Sequence, residues 1–311
     1  MKNILFQKDL ITVDNLNRDN VHLIFEKAEE MEKLVGKRGG NDSLKGRIMA
    51  ALFFEPSSRT FSSFITSMQR LGGGIIPLNG MANTSIAKGE TLEDTAKVFS
   101  SYADIIVMRH PTGGAAGIAA KFAEIPVVNA GDGINEHPSQ ALIDLFTIKQ
   151  AFKRLNNLHI LMIGDLAHYR PTNSLAKLLV NYPGIKMSFA TPEEVSLPDN
   201  VRKYLKEHNI SFEEYNEFDN LLPKVDVLYV TRVKKEYMSE ELYHKVQGSY
   251  VVDRKLISKM KKNSIIMHCL PRVGEIDSEI DGDPRSIFMT KQVRNGMYVR
   301  MAILDLILRN Q

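Results

Sequence analysis

The chain has 311 residues, of which 43% are hydrophobic and 25% are charged. This length suits two domains of ordinary size, and the composition is that of a globular protein with a large buried core. The 40 basic and 37 acidic residues give a net charge of +3, which argues against nucleic acid or an anionic membrane as a partner. The single cysteine, Cys269, excludes an internal disulfide and a cysteine-rich metal site.

The sequence contains no predicted membrane span and no predicted signal peptide. No apolar run approaches the roughly 18–20 residues that cross a bilayer. The N-terminal segment includes Lys2, Lys8 and Asp9 in place of the apolar core of a signal peptide. We therefore expect a cytoplasmic protein.

Apolar runs and helical periodicities alternate along the chain. In the first half they predict strands at 48–54, 75–78, 105–108 and 126–130, and helices at 17–34, 61–71, 91–101 and 115–122. In the second half they predict helices at 139–152, 174–181, 199–208 and 289–308, and strands at 159–164, 186–190, 210–214, 225–230 and 264–267. Strands that alternate with helices indicate βαβ units and a parallel sheet.

A glycine-rich stretch, Gly131–Gly133, interrupts the alternation. The patterns before and after it predict an α/β fold with two doubly wound parallel-sheet domains. We place the first domain at residues 1–135 together with the terminal helix at 289–311, and the second at 136–288. Ligands of such sheets lie at the carboxyl ends of the strands, so the polar residues that follow strands are the candidate functional residues.

The stretch Phe53–Thr60 follows a buried strand and precedes an amphipathic helix. It places Ser57, Ser58, Arg59 and Thr60 at a helix N-terminus, where free backbone N–H groups and the helix dipole favour an anion such as phosphate. Plain N-capping by serine is the alternative. The arginine in the first turn favours the anion site, because a cation is unfavourable there unless an anion is bound.

Three more arginines, Arg109, Arg170 and Arg232, follow separate strands. Arginine grips phosphate and carboxylate groups with paired hydrogen bonds. Together with Arg59, these residues predict a ligand that carries several anionic groups. For Arg109 alone, compensation of charge at a helix end is an equal alternative.

Two further pairs of polar residues lie in loops. Ser85 and Lys88 belong to the polar loop 79–90, which is long enough to be functional, although a solvated lysine is the alternative there. His137 and Gln140 precede and begin a predicted helix, and their spacing of three places them on one face.

Seven segments, taken together and in order, resemble the catalytic chains of the aspartate carbamoyltransferase family over essentially the whole sequence. The segments that carry the resemblance are Phe53–Thr60, Ser85–Thr91, Met108–Pro111, Gly131–Leu142, Leu228–Val233, Leu270–Ile276 and Arg294–Leu304. The short Ser-Ser-Arg-Thr motif is fairly specific when it follows a strand that ends in Phe-Phe-Glu, as it does here.

The resemblance implies an enzyme that transfers the carbamoyl group of carbamoyl phosphate to the α-amine of L-aspartate, an early step of de novo pyrimidine biosynthesis. It implies homotrimers with shared active sites, each in the cleft between the two domains. No cofactor and no metal is required by this chemistry. A regulatory chain is a further partner that the family allows.

The resemblance also assigns binding residues. Those implied for carbamoyl phosphate are Ser57, Ser58, Arg59, Thr60, Ser85, Arg109, His137, Gln140 and the backbone carbonyl of Cys269. Those implied for aspartate are Lys88, Arg170, Arg232, Lys234, Leu270 and Pro271, with a cis bond between Leu270 and Pro271. Arg59, Thr60, Lys88, Arg109 and His137 would act in catalysis through orientation and fixed positive charge. Ser85 and Lys88 would reach in from a neighbouring subunit, and His137 would donate to the oxyanion.

The sequence departs from the family pattern in three places. One is the segment Tyr169–Ser174, where the family usually has Gly-Arg-Thr-Val-His-Ser. Lys234 stands where the family usually has a glutamine, and Tyr237 stands where it usually has an arginine. Cys269 is the form found in ornithine enzymes. Ornithine is nevertheless the weaker alternative substrate, because Arg232 and Lys234 would repel its second cation at a cost of roughly 1–4 kcal/mol. The other alternative is a carbamoyl-phosphate-binding subunit of low turnover that acts through partners.

Overall fold

The computed structural model describes residues 3–81 and 84–310. The chain divides into two compact units, Met1–Ile143 with Arg294–Gln311, and Asp144–Val293. Each unit contains one parallel sheet with helices packed against it. The prediction of an α/β fold with two parallel sheets is therefore confirmed.

The elements of the first unit, in chain order, are α1 (Arg18–Arg38), β1 (Ile48–Phe53), α2 (Ser58–Arg70), β2 (Gly74–Asn79), α3 (Leu92–Ser100), β3 (Ile105–His110), α4 (Ala115–Phe122) and β4 (Val127–Asp132). Its strands are parallel in the order β2-β1-β3-β4. The central strand β1 is buried from Met49 to Phe53, as expected of a strand with both faces covered. All strands and helices predicted for this half are present, with ends that differ by a few residues.

The remaining elements are α5 (Pro138–Phe152), β5 (His159–Ile163), α6 (Arg170–Leu179), β6 (Lys186–Ala190), α7 (Asp199–Glu207), β7 (Ser211–Tyr215), β8 (Val227–Val230), α8 (Glu240–Val246), α9 (Arg254–Ser258), β9 (Ile265–His268) and α10 (Val293–Leu308). The division between the units falls within α5. The second sheet is parallel in the order β7-β6-β5-β8-β9. Ile163, Val230 and His268 are in register, so β5, β8 and β9 end at the same edge.

The helix expected at 174–181 begins earlier, at Arg170. Pro171 stands within its first turn, where the missing backbone N–H costs no helical hydrogen bond. The prediction that the helix begins after Arg170 is therefore wrong. The side chain starts from the helix N-terminus itself.

Other differences concern short elements. The polar loop 79–90 contains a 3-10 helix, Ser85–Lys88, and a π-helical turn, Phe288–Gln292, precedes α10. The helices α8 and α9 were not expected, because seven and five residues are too few for a periodic apolar signal. No helix within residues 3–81 and 84–310 is both long enough and apolar enough to cross a membrane.

Candidate active site

The turn from β1 into α2 presents the four residues that the sequence predicts to bind phosphate. Ser57 is the N-cap residue, but its side chain makes no capping hydrogen bond, and its backbone N–H bonds Asn79 Oδ1 at 3.3 Å. Ser58 and Arg59 are exposed, whereas Thr60 is buried. The first turn contains no acidic residue. Plain serine capping does not describe this helix end, whose positive dipole and guanidinium favour an anion.

Arg109 lies beside this turn. It is in register with Phe53 on the neighbouring strand, and its carbonyl accepts a 2.8 Å hydrogen bond from the backbone N–H of Phe54. Its Nη2 atom lies 3.2 Å from Glu55 Oε1, and both side chains are mostly shielded from solvent. Glu55 therefore holds the Arg109 guanidinium close to the start of α2.

Two buried carboxylates fix the turn that follows β4. Asp132 accepts hydrogen bonds of 2.7–3.1 Å from the side chains of Asn129 and Asn135 and from the backbone N–H groups of Gly114 and Glu136. Glu136 accepts from the hydroxyl of Thr12 at 3.0 Å and from the backbone N–H of Val13 at 2.9 Å. These bonds tie the turn to α4 and to the N-terminal segment, so the residue that follows Glu136 has a fixed position.

That residue is His137, which is 3% exposed. Ser139 Oγ lies 3.5 Å from its Nδ1 atom. Gln140 stands in the first turn of α5, and its backbone N–H bonds the carbonyl of His137 at 3.0 Å. His137 and Gln140 therefore follow the strand β4, next to β3, the strand that carries Arg109.

Ser85 and Lys88 lie on the 3-10 helix after β2, and both are exposed. Gly89 ends this short helix with φ +96°, a conformation that favours glycine. The strand order places the turn with Arg59, then Arg109, then His137 along one edge of the first sheet. Ser85 and Lys88 stand instead on a solvent-facing segment of the same unit.

The second group of predicted residues follows β5, β8 and β9. Arg170 begins α6 after β5, Arg232 and Lys234 follow β8, and the segment Cys269–Pro271 follows β9. Because these three strands are neighbours with aligned ends, the residues predicted to bind aspartate, apart from Lys88, leave the second sheet side by side.

Gly164 and Thr231 make a close contact at this edge. Gly164 has φ +108°, and a Cβ atom there would lie 2.4 Å from Thr231 Oγ1. The Thr231 hydroxyl lies 3.0 Å from the carbonyl of Ile163 and 3.1 Å from that of Asp165. Only glycine combines this backbone conformation with so close an approach.

Asp165 is fully buried and organises the two loops after β5 and β8. One of its oxygens accepts the backbone N–H of His168 at 3.0 Å and lies 3.1 Å from His168 Nδ1. The other accepts the backbone N–H of Lys234 at 3.1 Å. The carboxylate thereby places Lys234, which is 7% exposed, next to the start of α6.

Two arginines differ in their surroundings at this edge. Burial alone would lower the pKa of Arg232, but its hydrogen bonds with Glu236 raise the pKa, and the same contact lowers the pKa of Glu236 against the effect of its burial. Arg170 is 2% exposed and stands in a first helical turn without acidic residues. The Arg232 guanidinium therefore keeps its positive charge beside Glu236.

A buried polar network lies beneath the segment that follows β9. The hydroxyl of Tyr229 donates to Asp144 Oδ2 at 2.7 Å and contacts the thiol of Cys269. Gln292 Nε2 donates to the other Asp144 oxygen at 2.7 Å, and Gln292 Oε1 accepts the backbone N–H of His268 at 3.0 Å. Burial is the main reason that the pKa of Tyr229 lies well above its usual value, with the neighbouring Asp144 carboxylate adding to the effect.

His268 also supports the backbone of this segment. Its Nδ1 atom accepts the N–H of Leu270 at 2.8 Å, and its Nε2 atom lies 2.7 Å from Glu275 Oε1, a close contact that does not form a well-directed hydrogen bond. Burial lowers the pKa of His268 in spite of Glu275. The Leu270–Pro271 bond is cis, which confirms the prediction. The segment that carries the carbonyls of Cys269 and Leu270 is thus held by the hydrogen bond to His268 and by the contact of the Cys269 thiol with Tyr229.

The sequence did not single out Asp144, Gln292 or Asp165 as parts of this arrangement. Asp144 has a recognisable signal, because it is the one acidic residue of α5, between Ile143 and Leu145. An isolated carboxylate in an apolar helix usually has a buried partner. The identity of that partner is not visible in a linear pattern.

Two family models match the chain in succession. Residues 8–150 match the carbamoyl-P binding domain of aspartate/ornithine carbamoyltransferase, and residues 156–307 match the Asp/Orn binding domain. The fold, the two sheet edges and these matches define an enzyme of the carbamoyltransferase class. The chain belongs to the aspartate/ornithine carbamoyltransferase family, which confirms the resemblance found in its motifs.

Individual relatives are similar over nearly the whole chain. The aspartate carbamoyltransferase catalytic subunit of Picrophilus torridus is 44% identical over 306 residues, 98% of this chain and 99% of that protein. The multifunctional protein pyr1-3 of Dictyostelium discoideum has the same identity over 306 residues, 98% of this chain but 14% of that much longer protein. The structure of aspartate transcarbamoylase from Trypanosoma cruzi in complex with carbamoyl phosphate and aspartate has a TM-score of 0.91 at 35% identity, covering 98% of this chain and 96% of that one.

Proposed function

We propose that the protein transfers the carbamoyl group of carbamoyl phosphate to the α-amine of L-aspartate, giving N-carbamoyl-L-aspartate and phosphate. This reaction is an early step of de novo pyrimidine biosynthesis. The observation that carries the proposal is the start of α2, where Arg59 is exposed in a helical turn without a side-chain cap or an acidic residue. A phosphate is the ligand that this combination favours.

Carbamoyl phosphate is bound mainly by residues of the first sheet edge. Its phosphate takes hydrogen bonds from Ser57, Ser58, Arg59, Thr60 and Arg109. Its carbonyl oxygen accepts from Thr60, Arg109 and His137, and its amide group contacts Gln140 and the backbone carbonyl of Cys269. The 3.2 Å contact with Glu55 supports the role of Arg109, because it aims the guanidinium at the turn before α2.

Aspartate is bound by Arg170, Arg232, Lys234 and Lys88, which neutralise its two carboxylates. Its amine contacts the carbonyl of Leu270, next to Pro271. The deprotonated amine attacks the carbonyl carbon, which becomes tetrahedral while the carbonyl oxygen becomes an oxyanion. The carbonyl double bond then re-forms as the carbon–oxygen bond to phosphate breaks. Phosphate leaves and accepts the proton. The fixed positive charges stabilise the oxyanion and the leaving group, so positioning and electrostatics supply the catalysis.

We further propose a homotrimer with shared active sites, in which Ser85 and Lys88 act in the site of a neighbouring subunit. The exposure of both side chains on a short 3-10 helix supports this arrangement. A regulatory chain is a second proposed partner, since relatives carry the name catalytic subunit. In this proposal the carbamoyl phosphate domain comprises residues 1–135 with 289–311, and the aspartate domain comprises residues 136–288. The protein is proposed to act in the cytoplasm.

One assay tests the activity. Aspartate, ornithine and asparagine are supplied separately with carbamoyl phosphate, and phosphate release is measured. Aspartate is expected to give by far the highest kcat/KM. A preference for ornithine would overturn the proposed substrate, and tight binding of carbamoyl phosphate without turnover of any amino acid would support a binding subunit instead.

A further inference from the structure

The side chain of Lys234 lies between two tyrosine rings at the edge where β5 and β8 end. Its Nζ atom is 4.7 Å from the centre of the Tyr237 ring and 5.8 Å from the centre of the Tyr169 ring. Lys234 is 7% exposed and Tyr169 is 3% exposed, so the ammonium group is largely shielded from water. Aromatic faces attract cations, and the attraction is strongest where water is excluded.

The rings of Tyr169 and Tyr237 form an aromatic cage around the Lys234 ammonium, and further residues hold this cage in place. The ring of Tyr237 stacks on the imidazole of His168, with 5.9 Å between the ring centres and 16° between the planes. His168 Nδ1 lies 3.1 Å from one oxygen of Asp165, and the other oxygen accepts the backbone N–H of Lys234. One buried carboxylate therefore fixes both the backbone of the lysine and the imidazole that supports its aromatic wall.

We propose that Tyr237 is a positioning residue for Lys234, and that the caged ammonium determines which amino acid the enzyme accepts by favouring two carboxylates. This inference rests on the proposed function and deepens it. Lys234 and Tyr237 are two of the positions at which the sequence departs from its family's pattern. Their contact makes the departures a coupled change, because a neutral glutamine has no need of an aromatic wall and a buried ammonium does.

The consequence for specificity follows from charge. The edge already carries Arg170 and Arg232, and the caged ammonium adds a positive charge in a place that excludes water. Attraction to a second substrate carboxylate and repulsion of a substrate cation are both stronger there than at an exposed surface. The cage matters because it keeps the flexible lysine side chain aimed at one point, which reduces the entropy lost when the substrate binds.

A double-mutant cycle tests the coupling. Tyr237→Leu removes the aromatic wall, and we expect it to raise the KM for aspartate about 5- to 20-fold, the effect of losing a shielded cation–aromatic contact, with kcat changed less than about twofold. Tyr237→Phe keeps the ring and should restore most of the affinity. In a Lys234→Gln background, Tyr237→Leu should change KM by less than about twofold. Binding of N-(phosphonoacetyl)-L-aspartate, measured by calorimetry, should follow the same pattern.

The chain offers a matched control pair. Lys235 Nζ lies 5.3 Å from the centre of the Tyr243 ring, a similar contact made by an exposed lysine, so Tyr243→Leu should leave KM unchanged. An equal effect of Tyr237→Leu with lysine or glutamine at position 234 would overturn the inference, as would an unchanged KM. If Tyr237→Leu does not fold, Lys234→Gln/Tyr237→Arg replaces it. This variant should bind aspartate better than Tyr237→Arg alone, and the reverse order would overturn the coupling. Failure of the proposed function is distinguishable, because the unmodified protein would then not carbamoylate aspartate.

Discussion

Tyr229 and Asp144 form a 2.7 Å hydrogen bond inside the second unit although they are 85 residues apart in the chain. The same carboxylate accepts the side-chain amide of Gln292, which in turn binds the backbone N–H of His268. A core helix is thereby connected to the segment that carries the carbonyls of Cys269 and Leu270.

Replacing Asp144 with alanine should be strongly destabilising. Tyr229 and Gln292 are both buried and would lose their carboxylate acceptor. Each buried polar group left unpaired costs about 1–3 kcal/mol. We expect Asp144→Ala to lower the unfolding free energy by about 2–5 kcal/mol in urea denaturation. Tyr229→Phe removes one donor and leaves Gln292 in place, so its loss should be smaller. Equal losses in the two variants would show that the carboxylate does not join the two donors.

Arg59→Ala should lower kcat by a factor on the order of 10²–10³, the usual effect of removing one charge-stabilising donor from an active site. The reason is that the guanidinium at the start of α2 has no substitute in the first turn of that helix. Steady-state kinetics at saturating aspartate measure the effect. Arg254→Ala is the control, because Arg254 is an exposed arginine on α9. Turnover at the unmodified rate in Arg59→Ala would refute the role of this residue.

Subunits that lack different residues should complement each other if active sites are shared. Arg59→Ala and Lys88→Ala subunits are each expected to be nearly inactive. Mixed trimers contain some sites in which both residues are intact, because Arg59 comes from one subunit and Lys88 from another. Activity should therefore reappear after the two variants are dissociated, mixed and reassembled. Mixtures as inactive as the separate variants would argue that each site is built from one chain.

Stability should fall as the pH drops below 6.5, because His268 is buried in its neutral form. The Leu270 N–H donates to Nδ1, so the ring proton is on Nε2 and faces Glu275. Burial lowers the pKa of His268 below its value near 6.5 in the unfolded chain. Between these two pKa values the unfolded chain binds the extra proton, so the stabilisation is complete above pH 6.5 and is lost as the pH falls.

Urea denaturation at several pH values between 5 and 8 measures this dependence. One such histidine accounts for at most about 1.4 kcal/mol per pH unit. His110 and His159 also have pKa values lowered by burial, so the protein as a whole should show a steeper slope. His268→Gln should lower the slope of the unfolding free energy against pH by the contribution of one proton. An unchanged slope in this variant would show that His268 does not titrate differently in the folded protein.

The sequence predicted the architecture because strands and helices leave local signals. The apolar run before Glu55 and the arginines after three later strands place the candidate residues at strand ends. Alternating strands and helices form a parallel sheet, and the strand order brings the side chains at the strand ends together. The position of Arg109 beside the start of α2 follows from this arrangement. The assignment of each residue to a substrate atom stays a prediction.

The sequence does not show which side chains far apart in the chain contact each other. Nothing in a linear pattern connects Asp144 with Tyr229, or the substituted Lys234 with the ring of Tyr237 that receives it. The start of α6 was misplaced for a different reason. A proline usually argues against a helix, and Pro171 is tolerated because it stands in the first turn.

The contact of Gly164 with Thr231 limits how this enzyme can be changed. Any side chain at position 164 would have to push apart two hydrogen-bonded strands, together with the loops that start from them. In a library of all amino acids at this position, glycine should be the sole survivor of selection for activity. Efforts to alter the choice of amino acid should therefore vary the loops and leave Gly164 unchanged.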